Sequence, residues 1–219
     1  MSRRKKNALV QRVEYVLYRA VAGAVRDASN DSLRRWGTRL GNVGRLVLRS
    51  RDRMAMRNLA GTFPEKSEAE RRRIADECWR HFGREALATI RMQDVPIEEI
   101  PSYCPFVNVQ ILEEAIARGR GVVLLSAHYG AWEIAGLAIM ALVKNVSTVA
   151  RPLDNELLER DLVRLRARTG AEVVDRRRAA RVLLKTLSQK GVIILLPDQA
   201  VQPREGILVP FLGRPAWTT

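Results

Sequence analysis

The strongest constraint on the fold is an alternation of short apolar segments with helical segments in the carboxyl-terminal half of the chain. Strands are predicted at residues 122–126, 146–150, 172–174 and 192–196. Helical periodicity lies between them, at residues 131–142, 155–169 and 179–189. Strands that alternate with helices form a mostly parallel sheet flanked by helices. The sequence therefore predicts an α/β core.

The amino-terminal part of the chain is strongly basic. Residues 1–60 contain 15 Lys or Arg against four Asp or Glu, whereas the whole chain of 219 residues carries a net charge of +14. Such local charge is typical of a segment that meets a polyanion, either nucleic acid or an anionic membrane surface. Nucleic acid is disfavoured as a partner, because the sequence has no helix-turn-helix signature and no zinc ligand set, and only 5% of its residues are aromatic.

Residues 8–25 have the pattern of an amphipathic helix. Apolar residues recur at helical spacing along one face of this segment. Charges at Arg12, Glu14 and Arg19 interrupt the run of about 20 apolar residues that a bilayer span needs. We therefore expect a monotopic or peripheral attachment to an anionic membrane surface. The alternative is a helix that packs on the protein's own core and leaves a basic face in solvent.

The chain divides by composition into three parts. Residues 1–30 are predicted as a basic membrane-associating helix, residues 31–105 as a helical region and residues 106–219 as the α/β core. The two cysteines have no metal spacing and no disulfide framework, and no signal-peptide cleavage site follows the basic amino terminus. These features favour the cytoplasmic side of the cell.

Two helices are predicted within the helical region. The first has an apolar stripe, and Gly37 and Gly41 would let the backbone of another helix approach it closely. The second begins at a capping box formed by Ser67 and Glu70. The stripe of the first helix consists of Leu33, Trp36, Leu40, Val43 and Val47; the predicted buried side of the second consists of Ile74, Cys78, Phe82, Ala86 and Ile90.

The best candidate for chemistry is the segment that joins the first predicted strand to the next helix. His128, one of two histidines, follows the strand, and Glu133 lies five positions later where the helix begins. Open α/β sheets place their sites beyond the carboxyl ends of strands. The carboxylate can then reach back to the ring, and a base oriented by a carboxylate can activate a hydroxyl group. The alternative is a core histidine beside an incidental glutamate.

Several ordered motifs resemble those of one known family. His128-Tyr-Gly-Ala-Trp-Glu133 is an H-x-x-x-x-E box. The others are Ala150-Arg-Pro-Leu-Asp-Asn155, Arg164-Leu-Arg-Ala-Arg-Thr-Gly170, Leu196-Pro-Asp-Gln199 and the closing segment 209–219. Together they resemble the bacterial lipid A late acyltransferases (lauroyl and myristoyl transferases), within the lysophospholipid acyltransferase superfamily. The resemblance covers the chain from about residue 10 to Thr219. Proteins of that family normally continue beyond this point, so the resemblance implies that the α/β core at residues 106–219 is incomplete at its carboxyl end.

The resemblance implies an O-acyltransferase that works without a metal or cofactor. It would move a fatty acyl chain from a thioester, carried by acyl carrier protein or CoA, to a hydroxyl of a lipid A precursor at the cytoplasmic face of the bacterial inner membrane. His128 would act as general base, and Glu133 would fix its tautomer. Because no Ser or Cys stands where an acyl-enzyme would need one, we expect direct transfer.

A cation is needed for the oxyanion of such a transfer, and the helix at 155–169 offers candidates. Arg166 lies at the edge of the apolar stripe of this helix, and Arg168 lies somewhat further round. The resemblance also marks Arg166 as functional, either polarising the thioester carbonyl or gripping an acceptor phosphate. The alternative is a structural salt bridge with an acid such as Glu159.

Further candidates follow the other predicted strands. Asp198 ends a buried strand and is marked as functional by the resemblance; we expect it to orient Arg166. Arg151 follows the second strand and suits a phosphate contact. Arg151, Arg168 and Gln199 are predicted as substrate-binding residues.

Other functions remain open at this point. The enzyme could acylate another acceptor from acyl-CoA, such as a lysophospholipid or a phosphatidylinositol mannoside. Glycerolipid members of the superfamily usually have Asp at the position of Glu133, which disfavours them. A truncated, inactive membrane protein is a further alternative.

Overall fold

The computed structural model describes residues 7–175 and 179–219 and confirms the α/β class. The amino-terminal part is helical, and strands alternate with helices after residue 121. The helices are α1 (Ala8–Arg26), α2 (Asn30–Val47), α3 (Arg49–Thr62), α4 (Glu68–Arg91), α5 (Gln110–Ala117), α6 (Trp132–Leu142), α7 (Glu156–Ala167) and α8 (Ala179–Ser188), with short 3₁₀ helices at Ile97–Tyr103 and Pro203–Glu205. The strands are β1 (Val122–Leu125), β2 (Val146–Val149), β3 (Glu172–Val174), β4 (Val192–Leu195), β5 (Ile207–Phe211) and β6 (Arg214–Thr218).

The four strands β1 to β4 form a parallel sheet in the order β1-β4-β2-β3. The last strand in sequence, β4, is inserted between β1 and β2, with Leu125 in register with Leu195. The core of the sheet is apolar, with Val192 and Ile194 buried against Met140 of α6. Because all four strands are parallel, the segments that follow their carboxyl ends lie at one edge of the sheet.

The edge strand β1 is only half covered. Val122 and Leu124 pack against the core, while Val123 and Leu125 are exposed. The remaining strands, β5 and β6, form a separate antiparallel hairpin. Its turn has positive φ at Leu212 (48°) and Gly213 (75°). Positive φ at both central residues matches a two-residue turn whose twist suits a hairpin.

Glycines set the packing of α2 against α4. The backbones approach so closely that a Cβ on Gly83 would collide with the carbonyl oxygen of Gly37 and the backbone of Gly41. The prediction that Gly37 and Gly41 admit a second helix is confirmed. The long predicted helical region after residue 31 is divided at Leu48, and the Ser67–Glu70 capping box is confirmed by bonds of 2.8 Å and 3.3 Å.

The predicted buried side of α4 is wrong for three residues. Ile74, Cys78 and Phe82 are exposed, and the buried residues are Ala75, Gly83 and Leu87. The physical reason is the close approach of α2, which accepts small residues at the contact and turns the larger ones outward. The apolar stripe of α2 is likewise exposed apart from Leu33.

The chain forms two compact units. One consists of Met1–Gly23 with Met92–Pro197 and contains the parallel sheet. The other consists of Ala24–Arg91 with Asp198–Thr219 and contains the α2–α4 pair and the hairpin. The functional division of the chain at residues 30 and 105 stays a prediction.

Candidate active site

His128 lies on the loop between β1 and α6, at the carboxyl edge of the parallel sheet. The chain leaves β1 at Leu125 and enters α6 at Trp132, and Gly130 turns it with a φ of 60°. The side chain of His128 is exposed, so a sealed core histidine is excluded. The imidazole packs against Trp132, with ring centroids 5.6 Å apart and an interplanar angle of 57°. The indole thus limits the orientations that the ring can take.

Glu133 is bound by Arg166 in a partly buried ion pair. The distance from Arg166 Nη2 to Glu133 Oε1 is 2.5 Å, and the two side chains are 12% and 26% exposed. Glu133 is in the first turn of α6 and Arg166 in the last turn of α7. Each charge therefore lies near the helix end of opposite partial charge. A charge-assisted bond of this kind is shorter and stronger than a neutral hydrogen bond.

Arg166 is in a salt bridge, as the alternative interpretation of this residue predicted, but its partner is Glu133 and the predicted partner Glu159 is wrong. Glu159 accepts a hydrogen bond from the backbone N–H of Leu153 at 2.7 Å, so its carboxylate holds the segment that follows β2. The structure instead brings Arg166 to the glutamate of the H-x-x-x-x-E box. Glu133 also has a second carboxylate oxygen, and each oxygen can accept two bonds.

The remaining predicted residues lie in three different settings. Arg151 follows β2, is 87% exposed and is 3.9 Å from Asp154. Arg168 is directed at main-chain carbonyls, those of Met92, Gln93 and Val95. Asp198 and Gln199 follow β4, are exposed and belong to the second compact unit. The contacts of Arg168 give it a structural role in fixing the segment ahead of the first 3₁₀ helix.

A buried carboxylate on α7 was missed by the sequence analysis. Asp161 accepts a hydrogen bond from the Tyr15 hydroxyl at 2.9 Å, and Arg19 and Arg164 lie 3.9 Å and 3.8 Å from it. Burial, together with the charge of Asp161, raises the pKa of the neighbouring Tyr18. A signal was present, because an aspartate three residues after Leu158 falls on the apolar stripe of α7.

The polar face of α1 docks on α7. Asn155, which caps α7, donates to the backbone oxygen of Gln11 at 3.0 Å and to Glu14 Oε2 at 2.8 Å. The backbone N–H of Glu156 donates to Gln11 Oε1 at 3.0 Å. The apolar face is left in solvent, with Leu9 68%, Val16 64% and Leu17 63% exposed. The helix is therefore oriented opposite to an ordinary amphipathic surface helix, which buries its apolar face.

Within residues 7–175 and 179–219, no helix is both long and apolar enough to cross a bilayer. Over the same ranges, no three His, Cys, Asp or Glu side chains are grouped so that they could hold a metal ion.

A parallel sheet with an exposed histidine after β1, and a glutamate–arginine ion pair in the first turn of the following helix, is suited to activating a hydroxyl group. The profile of the family described as bacterial lipid A biosynthesis acyltransferase matches residues 1–219. The chain belongs to this family, which confirms the resemblance seen in its motifs.

Several curated proteins are similar in sequence. The lipid A biosynthesis palmitoleoyltransferase of Escherichia coli is 26% identical over 177 residues, covering 81% of this chain and 57% of the relative. The lauroyltransferase of the same organism is 26% identical over 179 residues, covering 82% and 58%. A phosphatidylinositol mannoside acyltransferase of Mycobacterium tuberculosis is 32% identical over 108 residues, covering 48% and 34%. The matched region thus spans little more than half the length of the lipid A relatives.

Proposed function

We propose that this protein transfers a fatty acyl chain from a thioester to a hydroxyl of a lipid A precursor, with His128 as general base. The observation that carries the proposal is the Glu133–Arg166 ion pair. Glu133 directly follows Trp132, whose indole packs on the His128 ring. Family membership supports acyl transfer to a lipid, since several relatives are named as lipid A biosynthesis acyltransferases.

The reaction is a direct transfer in which His128 carries one proton. The neutral imidazole takes the proton of the acceptor hydroxyl while the hydroxyl oxygen attacks the thioester carbonyl carbon. A tetrahedral oxyanion forms and collapses as the carbon–sulfur bond breaks. The departing thiolate takes the proton back from the imidazolium, so the products are an ester and a free thiol.

The ion pair gives Glu133 and Arg166 linked roles. A guanidinium has five N–H donors, and Glu133 fixes the orientation of the group by binding Nη2. The remaining donors can then be aimed at the oxyanion or at an acceptor phosphate. A preorganised donor of this kind is worth about 2.7–4 kcal/mol in the transition state. We propose that the second oxygen of Glu133 orients the imidazole.

The proposal also includes a donor protein and contacts for the substrates. We propose acyl carrier protein as the donor of the thioester and Arg151, whose side chain is 87% exposed, as a contact for a phosphate of the glycolipid. Asp198 and Gln199 stay predicted contacts for substrate. Arg168 is better placed as a positioning residue, since it holds the main chain at Met92, Gln93 and Val95.

A second candidate acceptor is a phosphatidylinositol mannoside, with acyl-CoA as donor. The observation that favours it is the identity of 32% to the mycobacterial enzyme named for that substrate. Lipid A precursor remains the first choice because the lipid A relatives match a longer part of the chain, about 80% of it. Mass spectrometry of membrane lipids from cells with and without the gene separates the two acceptors.

The chemistry is tested by replacing each histidine in turn. His128→Ala should lower kcat for acyl transfer by about 10²–10⁴-fold, the contribution of a positioned base. His81→Ala is a matched control, because His81 is also exposed and lies 3.8 Å from a carboxylate, that of Glu85. Turnover that survives in His128→Ala at the level of the control would refute the assignment of the base.

We further propose that α1 attaches the protein to the cytoplasmic face of the inner membrane. The support is its exposed apolar face, which would otherwise remain in water at a cost of about 25 cal/mol per Å². Replacing three apolar residues of this face by Ser should release the protein from anionic vesicles. Replacing three apolar residues elsewhere that are on average at least as exposed should not release it, and equal release by both sets would contradict the proposal. The test set is Leu9, Val16 and Leu17, and the control set is Val107, Ile111 and Leu184.

A further inference from the structure

A cavity of 440 Å³ between α2 and α4 is lined by six residues, four of which are arginines. Four guanidinium groups face it against a single carboxylate. The lining residues are Asp31, Arg34, Arg35, Thr38, Arg39 and Arg84. These six residues form the arginine pocket. A concave site with this excess of positive charge is suited to an anion with several oxygens, and a phosphate matches guanidinium geometry best.

The pocket is fixed in place by bonds between and within the two helices. Arg84 of α4 donates to Glu77 at 2.6 Å and to the Thr38 hydroxyl of α2 at 3.5 Å. Arg35 donates to the Ser32 hydroxyl at 3.4 Å. Since Glu77 compensates Arg84, the positive excess in the lining comes from Arg34, Arg35 and Arg39.

The arginine pocket borders an exposed apolar stripe. The guanidinium of Arg39 lies 4.7 Å from the centroid of the Trp36 ring, and Trp36 is the first exposed residue of the apolar stripe on α2. Trp36 is 60% exposed and Val47 is 72% exposed, with Leu40 and Val43 between them. The stripe cannot turn inward, because the glycine face of α2 is occupied by α4.

We propose that the arginine pocket binds phosphate groups of anionic phospholipids while the α2 stripe enters the apolar edge of the bilayer. A lipid surface satisfies both features, since it presents phosphates above hydrocarbon, and tryptophan is favoured at that boundary. An acidic protein would match the arginines and leave the stripe in water. The inference adds a second membrane-contacting surface and does not depend on the chemistry at His128.

The test measures binding to vesicles of phosphatidylethanolamine with phosphatidylglycerol by sedimentation. The pocket variant replaces Arg34, Arg35 and Arg39 by Gln. The control variant replaces Arg51, Arg53 and Arg57 of α3 by Gln, which are equally charged and exposed. Each arginine near an anionic leaflet contributes about fivefold in affinity, so the pocket variant, which removes three, should lose about 100-fold and the control much less. Equal losses would overturn the proposal in favour of general attraction.

Two further measurements distinguish lipid phosphate from inorganic phosphate, and a membrane from an acidic protein partner. Trp36→Ala should weaken vesicle binding and leave binding of inorganic phosphate unchanged; if phosphate alone binds as well as vesicles do, the lipid proposal is wrong. A pocket variant that keeps vesicle binding but loses binding to an acidic carrier protein would assign the pocket to protein docking. Acyl transfer to a detergent-dispersed acceptor should be unchanged in the pocket variant, which separates this test from that of His128.

Discussion

The Glu133–Arg166 ion pair makes a quantitative prediction about stability. We consider Glu133→Gln, Arg166→Gln and the double variant, which together form a thermodynamic cycle. Either single change removes one charge and leaves its former partner unpaired in a setting where the side chains are 26% and 12% exposed. The double change removes both charges, so neither remains unpaired. The cycle therefore isolates the interaction between the two side chains.

The burial of the pair sets the expected size of the effect. Breaking a fully buried pair costs about 3–5 kcal/mol, whereas an exposed pair contributes about 0–1 kcal/mol. This pair lies between these limits, so each single substitution should lower the free energy of unfolding by about 2 kcal/mol. The double variant should lose about 2 kcal/mol rather than 4, which gives a coupling energy of about 2 kcal/mol.

The assay is urea unfolding followed by far-ultraviolet circular dichroism, with the same cycle for Arg151 and Asp154 as a control. That control pair is 3.9 Å apart with side chains 87% and 54% exposed, so no measurable coupling is expected. Additive losses at Glu133 and Arg166 would refute the reasoning, because they would show that the two charges do not depend on each other in solution.

Two further predictions concern glycines within helices and one ion pair. Gly83→Ala should lower the free energy of unfolding by about 1–3 kcal/mol, because the new methyl group overpacks against Gly37. Gly136→Ala should raise it by about 0.5–1 kcal/mol, because nothing lies within 4 Å of the new Cβ and alanine favours the helix. Thermal unfolding of both variants checks the contrast. The hydrogen bond from Arg72 lowers the pKa of Asp52. The ionised carboxylate therefore stabilises the fold fully above the ordinary carboxyl pKa, and this stabilisation is lost as the pH falls through the lowered pKa. Asp52→Asn should therefore destabilise the protein at neutral pH, and the difference from the unchanged chain should shrink on acidification; a difference that does not depend on pH would contradict this.

The sheet was predictable from the sequence because its strands are short, mostly apolar segments that alternate with segments of helical periodicity. Every predicted strand of the parallel sheet matches an observed strand to within one residue at its carboxyl end, as with residues 192–196 and β4 (Val192–Leu195). A run such as Val192–Leu195 has apolar residues on both faces, which is required of a central strand that is covered on both sides. The order of the strands was not predictable, since the insertion of β4 between β1 and β2 leaves no local mark in the sequence.

The orientation of helix faces was harder to predict, and Gly83 shows why. Apolar periodicity predicted Phe82 on the buried side of α4. The close approach of α2 instead leaves room only for the smallest residue at the contact, and Phe82 is exposed. The partner of Glu133 was unpredictable for a related reason. Its pairing with Arg166 requires the first turn of α6 to meet the last turn of α7, a tertiary contact between residues 33 positions apart. Spacing located His128 and Glu133, but it carries no information about such a contact.

The helix α7 connects the two features that the proposed function needs. Its amino-terminal end holds α1 through Asn155 and Glu156, and its last turn carries Arg166 to Glu133. The contacts with α1 extend along α7, because Asp161 in the middle of this helix accepts a hydrogen bond from the Tyr15 hydroxyl at 2.9 Å. One rigid helix of about 18 Å therefore carries both the docked α1 and the arginine of the ion pair. Attachment of α1 to a membrane surface would thus fix the position of Arg166 relative to that surface.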